Sequence, residues 1–162
     1  MKITDHIKHN ITILDGGMGT LLQAAGLGPQ QTPESWNLTH PEAVTAVHRA
    51  YFDAGSNVVN TNTFGANCLK LEETALEEVI KAAVANAKKA ALESKAPQQK
   101  FIALDIGPTG KMLKPYGDLA FEDAVEIFAK TVRLGVKYGV DLIFIETMYS
   151  PTRRQHDLKQ LP

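Results

Sequence analysis

Four apolar runs in this chain each break off into polar residues or glycines at the same relative place. Residues 11–14 run into Asp15-Gly16-Gly17, and Val58-Val59 runs into Asn60-Thr61-Asn62-Thr63. Residues 101–104 run into Asp105-Ile106-Gly107-Pro108, and residues 142–145 into Glu146-Thr147. Carboxylates and amides gathered at strand ends have an obvious use. A carboxylate that follows a buried strand must be paired, hydrated or holding a cationic ligand, and an α-amino group is a natural partner. The candidate ligand-contacting residues are therefore Asp15, Gly16, Gly17, Asn62, Thr63, Asp105 and Glu146. Each has a plainer reading. Asp15 could cap a helix in a structural turn, Glu146 could pair with a Lys or Arg across the rim, and Asn62 and Thr63 could cap the next helix.

For these residues to meet, their strands must end on one side. Helical segments separate the last three runs, so the runs read as parallel strands, expected near residues 11–15, 57–61, 101–105 and 142–146. In parallel sheets and barrels the common C-terminal rim is where ligands bind. A short helix is expected around residues 21–25, then an irregular loop to Asn37 that contains Trp36. Thr39-His40-Pro41-Glu42 has capping-box spacing and predicts a helix to about Ala54, with Val44, Val47, Ala50 and Tyr51 on one face and His48 on the surface. Residues 70–94 are rich in alanine and predict a helix burying Leu71, Leu76, Val79, Ile80 and Val84. A last helix runs from about Asp118 to Tyr138, with Val125, Phe128, Val132 and Val136 on one face and Gly139 as its stop.

An internal echo fixes the strand ends. Ala54-Gly55-Ser56-Asn57-Val58-Val59 and Tyr138-Gly139-Val140-Asp141-Leu142-Ile143 share a layout of helix end, glycine, one residue, Asn or Asp, then a strand. That register sets Asn62-Thr63 over Glu146-Thr147. The loop at Gly16-Gly17-Met18-Gly19 fails the dinucleotide fingerprint, which needs glycine at its first, third and sixth positions. Its glycines instead allow a tight turn and close approach of a small ligand to backbone N–H groups.

Composition sets the class. The 162 residues permit one domain with a real core, and 44% hydrophobic with 22% charged residues is ordinary for a globular protein. A net charge of −1 gives no reason to expect nucleic acid or an anionic membrane as partner. The polar start does not resemble a signal peptide, and the single cysteine, Cys68, fits a reducing, cytoplasmic compartment. Cys68 reads as a small packing residue, with a thiol activated at a helix start as the alternative. The histidines show no metal-ligand spacing.

Ile13-Leu14-Asp15-Gly16-Gly17-Met18-Gly19-Thr20, Asn60-Thr61-Asn62-Thr63-Phe64-Gly65-Ala66-Asn67, Asp105-Ile106-Gly107-Pro108-Thr109-Gly110 and residues 139–147 occur in the order found in homocysteine S-methyltransferase domains. Over about residues 10–149 the chain resembles that family, and in particular its bacterial cobalamin-dependent methionine synthase branch. The resemblance implies a (β/α)₈ barrel that moves a methyl group onto homocysteine, whose thiol is held as a nucleophilic thiolate by a zinc ion on three cysteines. It implies that Asp15, Gly16 and Gly17 lie in the homocysteine-binding loop, and that Glu146 holds the substrate's amino group. In that branch the donor is methylcobalamin, recharged by other modules.

The family's zinc cysteines belong to the second half of the barrel, and Cys68 matches none of them. After Met148 the family continues into a further helix, whereas residues 150–162 are polar with a proline at each end. The expectation is thus the N-terminal half of a TIM barrel over residues 1–149, four parallel strands with helices on one face, followed by a departing tail. Three readings follow. The chain is a fragment of a homocysteine methyltransferase without its metal site and inactive alone. Or it is a half-barrel that self-associates or complements a missing half. Or it is an unrelated doubly wound α/β binding protein.

Overall fold

The computed structural model describes residues 2–148. The chain runs α1 (Ile3–His6), α2 (Met18–Ala24), a 3-10 turn (Pro33–Ser35), α3 (Trp36–Thr39), α4 (Pro41–Asp53), β1 (Val58–Asn60), α5 (Glu73–Glu93), β2 (Phe101–Ile106), α6 (Phe121–Tyr138) and β3 (Leu142–Ile145). The strands form one parallel sheet in the order β1-β2-β3, with Val58 opposite Phe101 and Ala103 opposite Leu142.

Among the described residues three strands are present where four were expected. Residues 11–15 run parallel beside β1 but make only one bridge, Leu14 to Val58. The Asp15 N–H donates to the Val58 carbonyl at 3.0 Å, and the Val58 N–H donates to Ile13 at 3.1 Å. β1 is only three residues long, so it offers too short a template for a second ladder.

The echo noted above has a structural cause. Asn57 donates its N–H to the Ile13 carbonyl at 2.7 Å and accepts the Ile13 N–H on Oδ1 at 3.1 Å. Asp141 repeats this one strand pair later, donating to Ile102 at 2.8 Å and accepting the Ile102 N–H on Oδ2 at 2.8 Å. Each side chain clamps the start of its strand to the preceding segment. Asn57 also donates from Nδ2 to the Gln99 carbonyl at 3.1 Å.

β2 is buried on both faces. Leu104 and Ile106 pack with Leu76, Ile80 and Val84 of α5, and Ile102 packs with Phe52 of α4 and Ala87 and Ala90 of α5. On the opposite face Phe101 and Ala103 join Val58, Leu142 and Phe144, with Ile3 of α1 against them and the His6 ring 5.3 Å from that of Phe101. The helices are therefore not all on one face: the polar-looking N-terminus supplies a short helix that covers the other. Asp105 shares that second face, one step beyond Ala103 toward the strand end.

Helix details differ from expectation where tertiary packing overrides local pattern. Thr39 does not cap α4. It ends α3, its hydroxyl bonds back to the Ser35 carbonyl at 3.1 Å, and α4 starts with Pro41 after His40. Proline suits a first helical turn, where its missing N–H costs nothing. The buried row of α4 is Val44, Thr45, His48 and Phe52, while Ala50 is exposed. His48 is fully buried rather than on the surface, and burial pushes its pKa down to about 4. Trp36 is not in a loop but helical, packed with Leu22 and Val44. On α6 the buried row is Ala124, Ile127, Thr131 and Gly135, and Val125 and Val136 are exposed. A Cβ on Gly135 would sit 2.6 Å from Leu104 Cδ2, so glycine sets how closely α6 approaches β2. Gly139 ends that helix in the left-handed region, at φ 77°, as its position predicted.

The clamps allow a graded test. Asn57 is buried and Asp141 exposed. Asn57→Ala removes two part-buried side-chain bonds, leaving the Ile13 N–H and the Gln99 carbonyl without that partner, and is expected to cost about 1–3 kcal/mol in urea denaturation. Asp141→Ala should cost measurably less, because it removes one side-chain bond where Asn57→Ala removes two.

Candidate functional site

Asp15, Gly16, Gly17, Asn62, Asp105 and Glu146 line one cavity of about 680 Å³ at the C-terminal ends of the strands. Thr63 does not line it. Its hydroxyl bonds the Asp105 carbonyl at 2.8 Å and meets the Thr61 hydroxyl at 2.8 Å, so it supports the backbone that carries Asp105. Asn62 reaches the wall with its amide already engaged. Nδ2 donates to the Pro33 carbonyl at 2.6 Å, and the Asn62 carbonyl accepts from Asn37 Nδ2 at 2.7 Å. Both residues hold the wall in place.

Asp15 does not cap α2, whose N-cap is Gly17 without a side-chain bond. Its Oδ2 accepts the Asn60 N–H at 2.9 Å, while Oδ1 is buried without a partner. Burial raises its pKa to about 6 against the pull of that backbone bond, with the Glu146 charge adding a smaller push. Asp105 is 7% exposed, and its Oδ1 also lacks a partner. Burial, then the charges of Glu146 and Asp15, raise its pKa to about 7. Among the described residues no ion pair involves Glu146. The rim salt bridge that the sequence left open does not form there.

The opposite wall was not legible in the sequence. Glu34, in the 3-10 turn, accepts the Gly65 N–H at 2.6 Å, and Phe64 and Lys70 complete that side. These residues come from irregular loops, with no periodicity or spacing to mark them. Tyr51 packs against the cluster of Phe52 and Val59, as its place on the expected face implies, and its hydroxyl also donates to the Gly17 carbonyl at 3.1 Å and holds the glycine loop. A Cβ on Gly16 would fall 2.9 Å from the Tyr51 hydroxyl oxygen, so a glycine here lets loop and ring meet.

The arrangement is a concave pocket with acids converging from the ends of β2 and β3 and from the bridged segment that ends at Asp15. It is suited to a small ligand bearing a cationic group.

Residues 12–155 match the homocysteine S-methyltransferase family. The chain belongs to that family. It is 30% identical over 156 residues to methionine synthase of Mycobacterium tuberculosis (strain ATCC 25618 / H37Rv), a match that covers 90% of this chain and 13% of that protein. In fold it is similar to the homocysteine methyltransferase MmuM from Escherichia coli. The metallated form superposes with a TM-score of 0.73 at 23% identity, covering 88% of this chain and 56% of that one. The apo form gives 0.66 at 26% identity, covering 87% and 50%. The chain thus spans little more than half of the similar structures and a small part of the methionine synthase. The tail expected to depart from the family, residues 150–162, lies outside the described residues.

The zinc site implied by the family resemblance does not fit the side chains of the described residues. Among the described residues no group of three or more His, Cys, Asp or Glu could hold a metal ion. Cys68 is half-buried and packs against the Leu76–Ile80 cluster and against Leu119, Ala124 and Ile127. Among the described residues no helix is long and apolar enough to cross a membrane.

The raised acids give a pH signature. Between its unfolded pKa of 3.8 and its folded value of about 7, Asp105 holds more protons in the folded state, so its burial costs stability as pH rises through that window. Asp105→Asn should match the parent near pH 4 and exceed it by pH 8, by about 1–2 kcal/mol after allowance for solvent screening. Urea denaturation at both pH values measures this.

Proposed function

We propose that residues 2–148 are the homocysteine-recognising half of a methyltransferase (β/α)₈ barrel. In this reading Asp15 and Glu146 hold the substrate's α-ammonium group, and the backbone at Gly16 and Gly17 lies beside its carboxylate. Asn62 and Thr63 position the wall. The observation that carries the reading is the pair of buried, unpartnered carboxylate oxygens, Asp15 Oδ1 and Asp105 Oδ1, beside Glu146 on one cavity of a chain in this family. An ammonium group is the partner those oxygens lack. Holding it also orients the side-chain thiol, which fixes where a methyl group can be received.

Zinc, which would keep the thiol ionised, and methylcobalamin, the donor in the methionine synthase branch, belong in this reading to parts of such proteins outside residues 2–148. The same reading places the protein in the cytoplasm. Binding and methyl transfer are then separable: residues 2–148 bind homocysteine but do not turn it over.

Calorimetry tests the binding half. The chain should bind homocysteine without added zinc. Glu146→Gln should weaken binding by about 10- to 100-fold through loss of a charge-assisted bond. N-acetylhomocysteine, which has no ammonium group, should not bind. Equal binding of homocysteine and its N-acetyl derivative would contradict the reading.

A second reading, the self-associating or complementing half-barrel, is favoured by the sheet's margins. Ile11 and Ile13 are exposed at one side, and Ile145, Val136 and Phe121 at the other. Open parallel edges and apolar flanks favour pairing with another chain. Sedimentation should therefore show a dimer or larger species. A compact monomer across a wide concentration range would count against this second reading.

A further inference from the structure

We propose that Asp105 completes a cradle with Asp15 and Glu146, and that this cradle carries a proton which it releases when an ammonium group enters. The inference rests on the homocysteine-binding reading and extends it from what the pocket recognises to how protons control recognition.

Asp105 projects from a strand buried on both faces, and it lines the cavity although nine-tenths buried. Among the described residues its Oδ1 is buried without a hydrogen-bond partner. The Asp105 N–H is spent on the Thr61 hydroxyl at 3.2 Å, and that hydroxyl is tied to Thr63. The Asn60 N–H is taken by Asp15 Oδ2. The other ionisable groups on this cavity are Asp15, Glu34, Glu146 and Lys70. Burial raises the pKa of Tyr51, on α4, and the nearby Asp15 charge adds to that. Glu34 is engaged with the Gly65 N–H, and no ion pair joins Lys70 to an acid among the described residues. Three acids thus crowd one end of the pocket without a cation between them. An unpaired buried carboxylate costs more than protonating it, so the cluster keeps a proton into the neutral range. Burial raises the pKa values of both Asp15 and Asp105, and the Glu146 charge pushes each further, in agreement with this.

A primary ammonium group reverses the balance. It brings one positive charge and three N–H donors, which match the oxygens of Asp15, Asp105 and Glu146. The exchange is balanced: the protonated cradle plus R–NH₃⁺ gives the ionised cradle holding R–NH₃⁺, with the released proton passing to solvent. No bond to carbon or sulfur changes and nothing is oxidised. Because the groups share the proton, it belongs to the cluster rather than to one side chain. The class of ligand is an α-amino acid with a free ammonium group. The pocket would bind it progressively less well as pH falls, although the ligand itself stays cationic.

Calorimetry of homocysteine binding in two buffers of different ionisation enthalpy counts the protons. At pH 6 the parent chain should release about one proton per homocysteine, and its affinity should fall by up to about tenfold per pH unit below 7. Asp105→Asn should still bind homocysteine, release far less, and show an affinity nearly independent of pH between 6 and 8. A merely structural role for Asp105 would alter affinity without altering the proton count. Binding by the parent at pH 6 without proton release, or equal release by the variant, overturns the proposal. If homocysteine binds neither protein at any pH from 6 to 8, the homocysteine-binding reading fails instead. The side-chain carboxyl carbon of Asp105, followed by NMR in the ligand-free chain, then decides the proton half. Titration near neutral pH supports it, and titration in the ordinary carboxylate range overturns it.

Discussion

The site depends on where the strands begin. Asn57 and Asp141 each bind the preceding segment twice, once through the backbone N–H and once through the side-chain oxygen. A parallel pair has no hairpin to fix its register, so such clamps at the N-terminal ends do that work. With the starts fixed, the ends follow by count. Asn62 lies five residues beyond Asn57 and Glu146 five beyond Asp141, and both reach the same cavity. Shifting either clamp by one residue would turn every following side chain to the other face of the sheet.

The same geometry makes the pocket costly. β2 is buried on both faces, and its inner side carries Phe101 and Ala103 before Asp105. An acid there loses its water without gaining a donor, because Thr61 and Thr63 occupy the nearby backbone groups. Natural proteins accept unsatisfied polar groups chiefly where a ligand completes them. The nearby Asn60 adds a further buried oxygen, Oδ1, without a partner. His48, buried and unpartnered on α4, is a different case: it lies off the cavity and is held neutral by burial alone.

Much of this was legible in the sequence. The strands at 58–60, 101–106 and 142–145 lie within one residue of the spans expected at 57–61, 101–105 and 142–146, and Gly139 stops its helix as expected. Asp105 and Glu146 converge because strand ends in a parallel sheet must, and the parallel bridge at Leu14 brings Asp15 to the same side. What escaped has physical causes. Residues 11–15 carry a strand's pattern, but beside a three-residue partner they form a single bridge. His48 looked polar enough for a surface, yet it sits four residues from both Val44 and Phe52 on a row that packing buries. Thr39 had the capping spacing, but α3 claimed it first. Glu34 and Lys70 reach the pocket from loops whose course depends on tertiary contacts, so no local signal announced them. Family membership, rather than geometry, is what supports the proposal that the cation is an amino acid's ammonium group rather than any small amine.

The most direct test is the position of the ligand itself. In a crystal structure of this chain with homocysteine, the account places the α-ammonium nitrogen within about 3 Å of carboxylate oxygens of both Asp15 and Glu146. The thiol should point away from the acids toward the open side of the cavity. Homocysteine bound elsewhere, or in this pocket with its carboxylate rather than its ammonium group toward Glu146, would contradict it.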